Sequence, residues 1–342
     1  DSMAPLYDCH SLESIIVPAV PGKCYVNSKA VFDSLPNPWP QAEDACNQQK
    51  IDGRVYLEDG QELTKASSFL VPVGEHILTW IFFDETINEI ADTCSQRLLV
   101  MGDQAPVFDC DQLQHEPILV EGCDTTLDNT YITTPYALDA CTGDSVKGVG
   151  RRLDGGKLYG VYPVGTTSIQ WVFISPYSSL ADTCVQNVTV LTKQELDLHC
   201  TDVNGDTIRV DVEEGQCFAA VSLKIPYALH PCPEQSKVQK ITGVPYRSDN
   251  KAFTDSFHTG VTVVTWVFTD NSGTMYKSVD TCYTIVQVGD VNKMPVDCKN
   301  MPDTTIILPA TDCEISWKEI NFSVPEVRDL CSDSLITPTL TR

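Results

Sequence analysis

Fifteen cysteines fall into one pattern that is repeated three times and then begun again. The sets are Cys9, Cys24, Cys46, Cys94; Cys110, Cys123, Cys141, Cys184; Cys200, Cys217, Cys232, Cys282; and Cys298, Cys313, Cys331. From the last cysteine of one set to the first of the next the distance is identical each time (94 to 110, 184 to 200, 282 to 298). A chain built this way is a tandem array of one four-cysteine module. Spacings between first cysteines (9 to 110, 110 to 200, 200 to 298) come to roughly 100 residues, a normal size for a domain with its own core. The boundaries read as 1–103, 104–193 and 194–290, with a partial fourth module over 291–342. The pattern expects a further cysteine after Cys331. The chain opens at Asp1 without an initiator Met or a leader, so both ends read as cuts in a longer polypeptide.

Four cysteines per module point to an oxidising compartment, extracellular or at a cell surface. Zinc is the rival reading, but its ligands usually come in pairs two to four residues apart. Here the tightest pair of neighbouring cysteines is Cys110 and Cys123, and the six histidines do not recur in register. The net charge is −24, from 47 acidic and 23 basic residues. Such a surface repels nucleic-acid phosphates and suits a solvated secreted protein. No apolar run approaches the roughly eighteen residues of a membrane helix, so no membrane contact is expected of this segment.

Between the cysteines the sequence reads as short strands. The clearest is Ile77-Leu78-Thr79-Trp80-Ile81-Phe82, which returns as Ser168-Ile169-Gln170-Trp171-Val172-Phe173 and Val263-Val264-Thr265-Trp266-Val267-Phe268. Alternate residues of a strand share a face, which assigns Trp80, Trp171 and Trp266 to the core. A turn with glycine comes before each strand, at Gly74, Gly165 and Gly260. Asp-Thr-Cys opens the strand that follows, at Cys94, Cys184 and Cys282. A proline precedes the third cysteine at one fixed distance every time: Pro40/Cys46, Pro135/Cys141, Pro226/Cys232, Pro325/Cys331. Without a long helical period anywhere, these signals argue for an all-β chain of β-sandwich modules.

The run Val164-Gly165-Thr166-Thr167-Ser168-Ile169-Gln170-Trp171-Val172-Phe173, then Asp182-Thr183-Cys184 and Val188-Thr189-Val190, resembles the hyalin repeat (HYR domain). The junction Asp103-Gln104-Ala105-Pro106-Val107-Phe108-Asp109-Cys110 does too, and the likeness covers three modules and the start of the fourth. The four-cysteine form looks most like arrays in large surface proteins of gliding and gut bacteria. There are departures. Only Asp270-Asn271-Ser272-Gly273 comes near the family's Asp-x-x-Gly-Asn turn, and the junction before Cys200 lacks the proline.

The resemblance implies tandem immunoglobulin-like sandwiches, stapled by disulfides and arranged as an elongated rod. Four cysteines allow three pairings per module. The family's fold sets the first strand parallel beside the last, which implies Cys9–Cys94, Cys110–Cys184 and Cys200–Cys282. It leaves Cys24–Cys46, Cys123–Cys141, Cys217–Cys232 and Cys313–Cys331 as second pairs within their modules.

Functionally the resemblance implies a non-catalytic segment of a large extracellular adhesin or filament, including gliding-motility proteins. The partners are neighbouring repeats, other copies in a filament, or surface glycans and proteins. The alternative is a glycan-binding accessory module of a larger secreted enzyme, cued by Trp39, Tyr136 and Tyr227 near the Pro-to-Cys loop. No Ser/His/Asp set recurs, and no cofactor is expected. Calcium could sit at a junction on Asp202-Val203-Asn204-Gly205-Asp206 or Asp290-Val291-Asn292. Asn187-Val188-Thr189 and Asn321-Phe322-Ser323 are N-glycosylation sequons.

Overall fold

A computed structural model describes residues 4–339 apart from 45, 84–90, 201–206, 236–238, 293–295, 297–304, 309–310, 312–313, 317–319 and 321–324. The chain divides into two compact units, one of residues 1–118 with 124–190 and one of residues 119–123 with 191–342. Almost all regular structure is β.

Each of the first three modules holds one four-stranded sheet. In the first it is formed by β1 (Ile15–Pro18), β2 (Arg54–Tyr56), β3 (Gly74–Phe83) and β4 (Ala91–Met101), in the order β1-β4-β3-β2. The second has β5 (Ile118–Val120), β6 (Val149–Arg152), β7 (Gly165–Ile174) and β8 (Ala181–Thr192), in the order β6-β7-β8-β5. The third has β9 (Thr207–Asp211), β10 (Val244–Arg247), β11 (Gly260–Thr269) and β12 (Val279–Gly289), in the order β9-β12-β11-β10. The first strand runs parallel beside the last, with Ile15 opposite Leu98 and Thr207 opposite Ile285. Every other pairing in the first and third sheets is antiparallel. This is an all-β, immunoglobulin-like arrangement.

The Trp strands β3, β7 and β11 alternate as their sequences require. Leu78, Trp80 and Phe82 are fully buried, as are Ile169, Trp171 and Phe173, and Val264, Trp266 and Phe268. Each indole N–H is also satisfied, since a buried donor without an acceptor would cost about 1–3 kcal/mol. Trp80 donates to Gln96 Oε1 at 2.8 Å, Trp171 to Gln186 Oε1 at 2.9 Å and Trp266 to Thr284 Oγ1 at 2.9 Å. Glycine opens each strand at positive φ, +140° at Gly74 and +110° at Gly165 and Gly260, where a Cβ would be strained.

Short ladders close the other side of each core. In the first module Tyr25–Asn27 pairs with Leu70–Pro72 and Gln41–Glu43 with Lys50–Asp52. Their buried Val26, Val71 and Ala42 join Val55, Leu78 and Trp80 in one apolar cluster. The third module has a corresponding cluster around Trp266, with Ala228, Ile241 and Phe257.

Candidate functional site: the bridges between modules

Two kinds of disulfide hold the array, and they sit at different places on the sandwich. The first kind lies at the sheet centre. Trp80, Trp171 and Trp266 are directly opposite Cys94, Cys184 and Cys282 across the ladder. Those cysteines bond to Cys9, Cys110 and Cys200, the first cysteine of the same module.

The second kind leaves the module. Cys24 bonds to Cys141, Cys123 to Cys232 and Cys217 to Cys331. The second cysteine of each module is therefore joined to the third cysteine of the next. This corrects the expected Cys24–Cys46, Cys123–Cys141 and Cys217–Cys232. The reason is distance along the Trp strand. The carbonyl of Cys24 accepts from Val73, just before β3 begins, and that of Cys217 accepts from Thr259, just before β11. The hairpin carrying the third cysteine packs at the other end of the strand. Gly53, which follows that hairpin, lies so close to Phe82 that a Cβ would come within 2.7 Å of the ring, and Gly148 stands in the same way against Phe173 at 2.8 Å. The length of the strand separates its two ends by roughly 30 Å. A disulfide spans Cα atoms no more than about 7 Å apart. The expected Cys313–Cys331 is replaced as well, because Cys331 is taken by Cys217. Cys298 and Cys313 lie outside the described residues.

The hairpin turn that presents the third cysteine is built the same way in three modules. Asp139 Oδ1 accepts the N–H groups of Cys141 and Thr142, both at 2.9 Å. Asp44 Oδ1 accepts those of Cys46 at 2.8 Å and Asn47 at 3.0 Å, and Asp329 Oδ1 those of Cys331 at 3.0 Å and Ser332 at 2.7 Å. Asp139 also accepts a short bond from the Ser175 hydroxyl. Burial raises its pKa, but the bonds from Ser175, Thr142 and Cys141 outweigh that and leave it below the ordinary value. The half-buried Asp329 is lowered by the N–H and hydroxyl of Ser332 and the N–H of Cys331. In the third module His230 takes over. Its Nδ1 accepts from the N–H of Cys232 at 2.9 Å and its Nε2 meets Thr274 Oγ1 at 2.8 Å.

A recurrent glycine locks the base of each hairpin. Gly53, Gly148 and Gly243 donate to the carbonyls of Pro40, Pro135 and Pro226 at 2.9, 2.9 and 3.0 Å. These glycines are a regular signal in the sequence beside the prolines, each following its proline at a similar distance (40 to 53, 135 to 148, 226 to 243). Backbone contacts accompany the bridges. Gly102 donates to the carbonyl of Tyr177 at 2.7 Å, and Tyr177 packs on the first module's core. Thr192 donates to the carbonyl of Thr274 at 2.9 Å and accepts from Tyr276 at 2.8 Å.

The third cysteine of the first module, Cys46, carries a free, exposed thiol. Trp39 is not a free stacking platform: its N–H donates to Gly53 at 2.9 Å and its ring meets Trp80 edge-on at 5.1 Å. It lines an open groove of about 310 Å³ with Phe32, Arg54 and Lys65. Tyr227 is sandwiched between His199 at 4.6 Å and the Lys240 ammonium at 3.9 Å, whereas Tyr136 is exposed. Of the junction acids, Asp290 accepts from Asn292, whose amide nitrogen donates to the Gln216 carbonyl at 2.9 Å. Asn292 thus clips the loop beside Cys217. Asp202–Asp206 lies outside the described residues, as does the Asn321 sequon. Among the described residues no group of three or more His, Cys, Asp or Glu is placed to hold a metal ion. Nor does any helix among them have the length and apolarity to cross a membrane. Asn187 is exposed on β8, its Oδ1 accepting from Ser168 at 2.8 Å.

No protein-family model matches the chain. It is 25% identical over 281 residues to hyalin of Strongylocentrotus purpuratus, covering 81% of this chain and 21% of hyalin. The chain thus spans about a fifth of that protein's length. Among solved structures it is similar to mouse cadherin-23 EC22-24, at a TM-score of 0.28 and 12% identity, covering 82% of this chain and 96% of that one. It is also similar to the N-terminal four Ig domains of Dscam1 isoform 6.9, at a TM-score of 0.23 and 13% identity, covering 81% and 71%. The similarity to hyalin agrees with the hyalin-repeat pattern in the sequence.

Proposed function

We propose that this segment is a non-catalytic repeat array of a large extracellular adhesion protein, in which the modules 1–103, 104–193, 194–290 and 291–342 form a stalk. Its partners are its neighbouring repeats and other copies of the protein. The observation that carries this reading is the set of bridges from each module to the next. An isolated binding module attached to an enzyme has no need of them. A stalk does, because its job is to keep successive modules in register over a distance. The similarity to hyalin supports an extracellular setting, as do the six disulfides among the described residues. Calcium is not part of this proposal.

Electron microscopy of the full-length protein purified from its source tests it. A thin thread beaded at one module per bead is the expected image. A compact particle would overturn the stalk and favour accessory modules on an enzyme.

A further inference from the structure

Among the described residues, the disulfides trace two covalent routes along the chain that share neither a bridge nor a backbone segment. The first runs through Cys9–Cys94, the linker 94–110, Cys110–Cys184, the linker 184–200 and Cys200–Cys282. The second runs through Cys24–Cys141, back along the chain from 141 to 123, through Cys123–Cys232, back from 232 to 217, and through Cys217–Cys331. Their backbone segments are nearly equal in length, 94–110 and 184–200 on the first route against 123–141 and 217–232 on the second. At about 3.3–3.6 Å per residue each segment reaches about 50–65 Å when fully extended. An uncrosslinked module of this size would release roughly 300–350 Å.

We propose that the array is a two-railed tether, in which two separate covalent routes run from module to module. The rails take in part of each core, with buried Leu98, Val100 and Val190 on the first and Leu127, Ala137 and Ala228 on the second, but the chain that each bridge bypasses adds no length when its rail is pulled. Either rail alone keeps the chain continuous, so a cut in any one linker leaves the thread whole. This inference shares the bridges with the proposed stalk but not its shape or partners: a compact particle in the microscope would overturn the stalk and leave the two rails standing.

The test uses the full chain with a specific protease site inserted between Ala105 and Pro106. After cleavage the two pieces are joined by Cys24–Cys141 alone among these bridges. On a denaturing gel without reductant the cleaved chain is expected to run as one species, and with reductant to split into the pieces 1–105 and 106–342. The Cys24→Ser/Cys141→Ser variant should split without reductant. Separation of the cleaved wild-type cysteine set without reductant would overturn the second rail. A second measurement on the same chain reads tension. Pulled from its ends, the oxidised chain should stop at about 250 Å, cleaved or uncleaved, because the second rail holds only residues 1–24, 123–141, 217–232 and 331–342. Reduced and uncleaved, it should reach roughly 1,150 Å. A cleaved oxidised tether that parts, or lengthens several-fold, would show that the second rail carries no tension.

Discussion

The sheet centre and the hairpin turn of each module answer to different constraints. At the sheet centre the same groups recur in all three modules: a fully buried Trp, opposite the fourth cysteine, with its N–H on a polar side chain of the neighbouring strand. Shape fixes that site, because a close-packed core tolerates little change in volume. At the turn the chemistry varies while the job does not. Asp44, Asp139 and Asp329 hold the cysteine N–H with a carboxylate, whereas His230 does so with an imidazole nitrogen. What the turn requires is an acceptor at one point, so that the third cysteine faces a neighbour. The core defines a module, and the turn defines how modules are joined.

The largest effect should come from the join. Cys24→Ser/Cys141→Ser opens a loop of 117 residues, and chain entropy puts the loss at about 4–5 kcal/mol. Chemical denaturation of the full chain, followed by hydrogen exchange in residues 1–190, measures it. An unchanged midpoint would mean that this bridge does not restrain the unfolded chain. Next is the core. Trp171→Ala should cost about 3–5 kcal/mol and leave Gln186 without its donor. Protection of β7 and β8 against exchange should fall, while β11 and β12 keep theirs.

The turn should respond more weakly. Asp139→Ala and His230→Ala each leave cysteine N–H groups without their acceptor, at a cost of about 1–3 kcal/mol. His230→Asp should restore most of the loss in the third module, because the comparison says only an acceptor is needed. If it does not, the imidazole has a further role through Thr274. Acid should separate the two turns. The pKa of Asp139 is depressed in the fold, so its contribution is present above the ordinary carboxylate range and is lost as pH falls below about 4. Asp139→Asn should flatten the acid limb of the melting curve for the second module only. A chelator should have the smallest effect, with no change in melting temperature. A clear drop would place a bound cation at a junction.

Much of the core was legible because period-two alternation and a repeated Trp are local signals. Leu78-Thr79-Trp80-Ile81-Phe82 states its buried face in five letters. The hyalin-repeat resemblance also anticipated the parallel placement of β1 beside β4, and with it Cys9 near Cys94. The second pairing was not legible. Every module carries the same cysteine order, so Cys24 to Cys46 and Cys24 to Cys141 look alike in a list of positions. The shorter loop favours the local choice on closure entropy alone. Only the length of β3 decides against it, by holding Cys24 and the hairpin at opposite ends. His230 was hidden for a related reason. The six histidines do not recur in register, and the role of His230 shows only once its turn is set beside that of Asp139. Gly53, Gly148 and Gly243 were a readable signal, since each follows its proline at a similar distance and opens space for a core aromatic.

The central claim is the pairing itself, and mass spectrometry of an unreduced digest reads it directly. The account predicts linked peptides joining Cys24 to Cys141, Cys123 to Cys232 and Cys217 to Cys331, with the peptide of Cys46 unlinked to any of them. Peptides joining Cys24 to Cys46, Cys123 to Cys141 and Cys217 to Cys232 would contradict it, and would return each module to a closed unit with no covalent tie to the next.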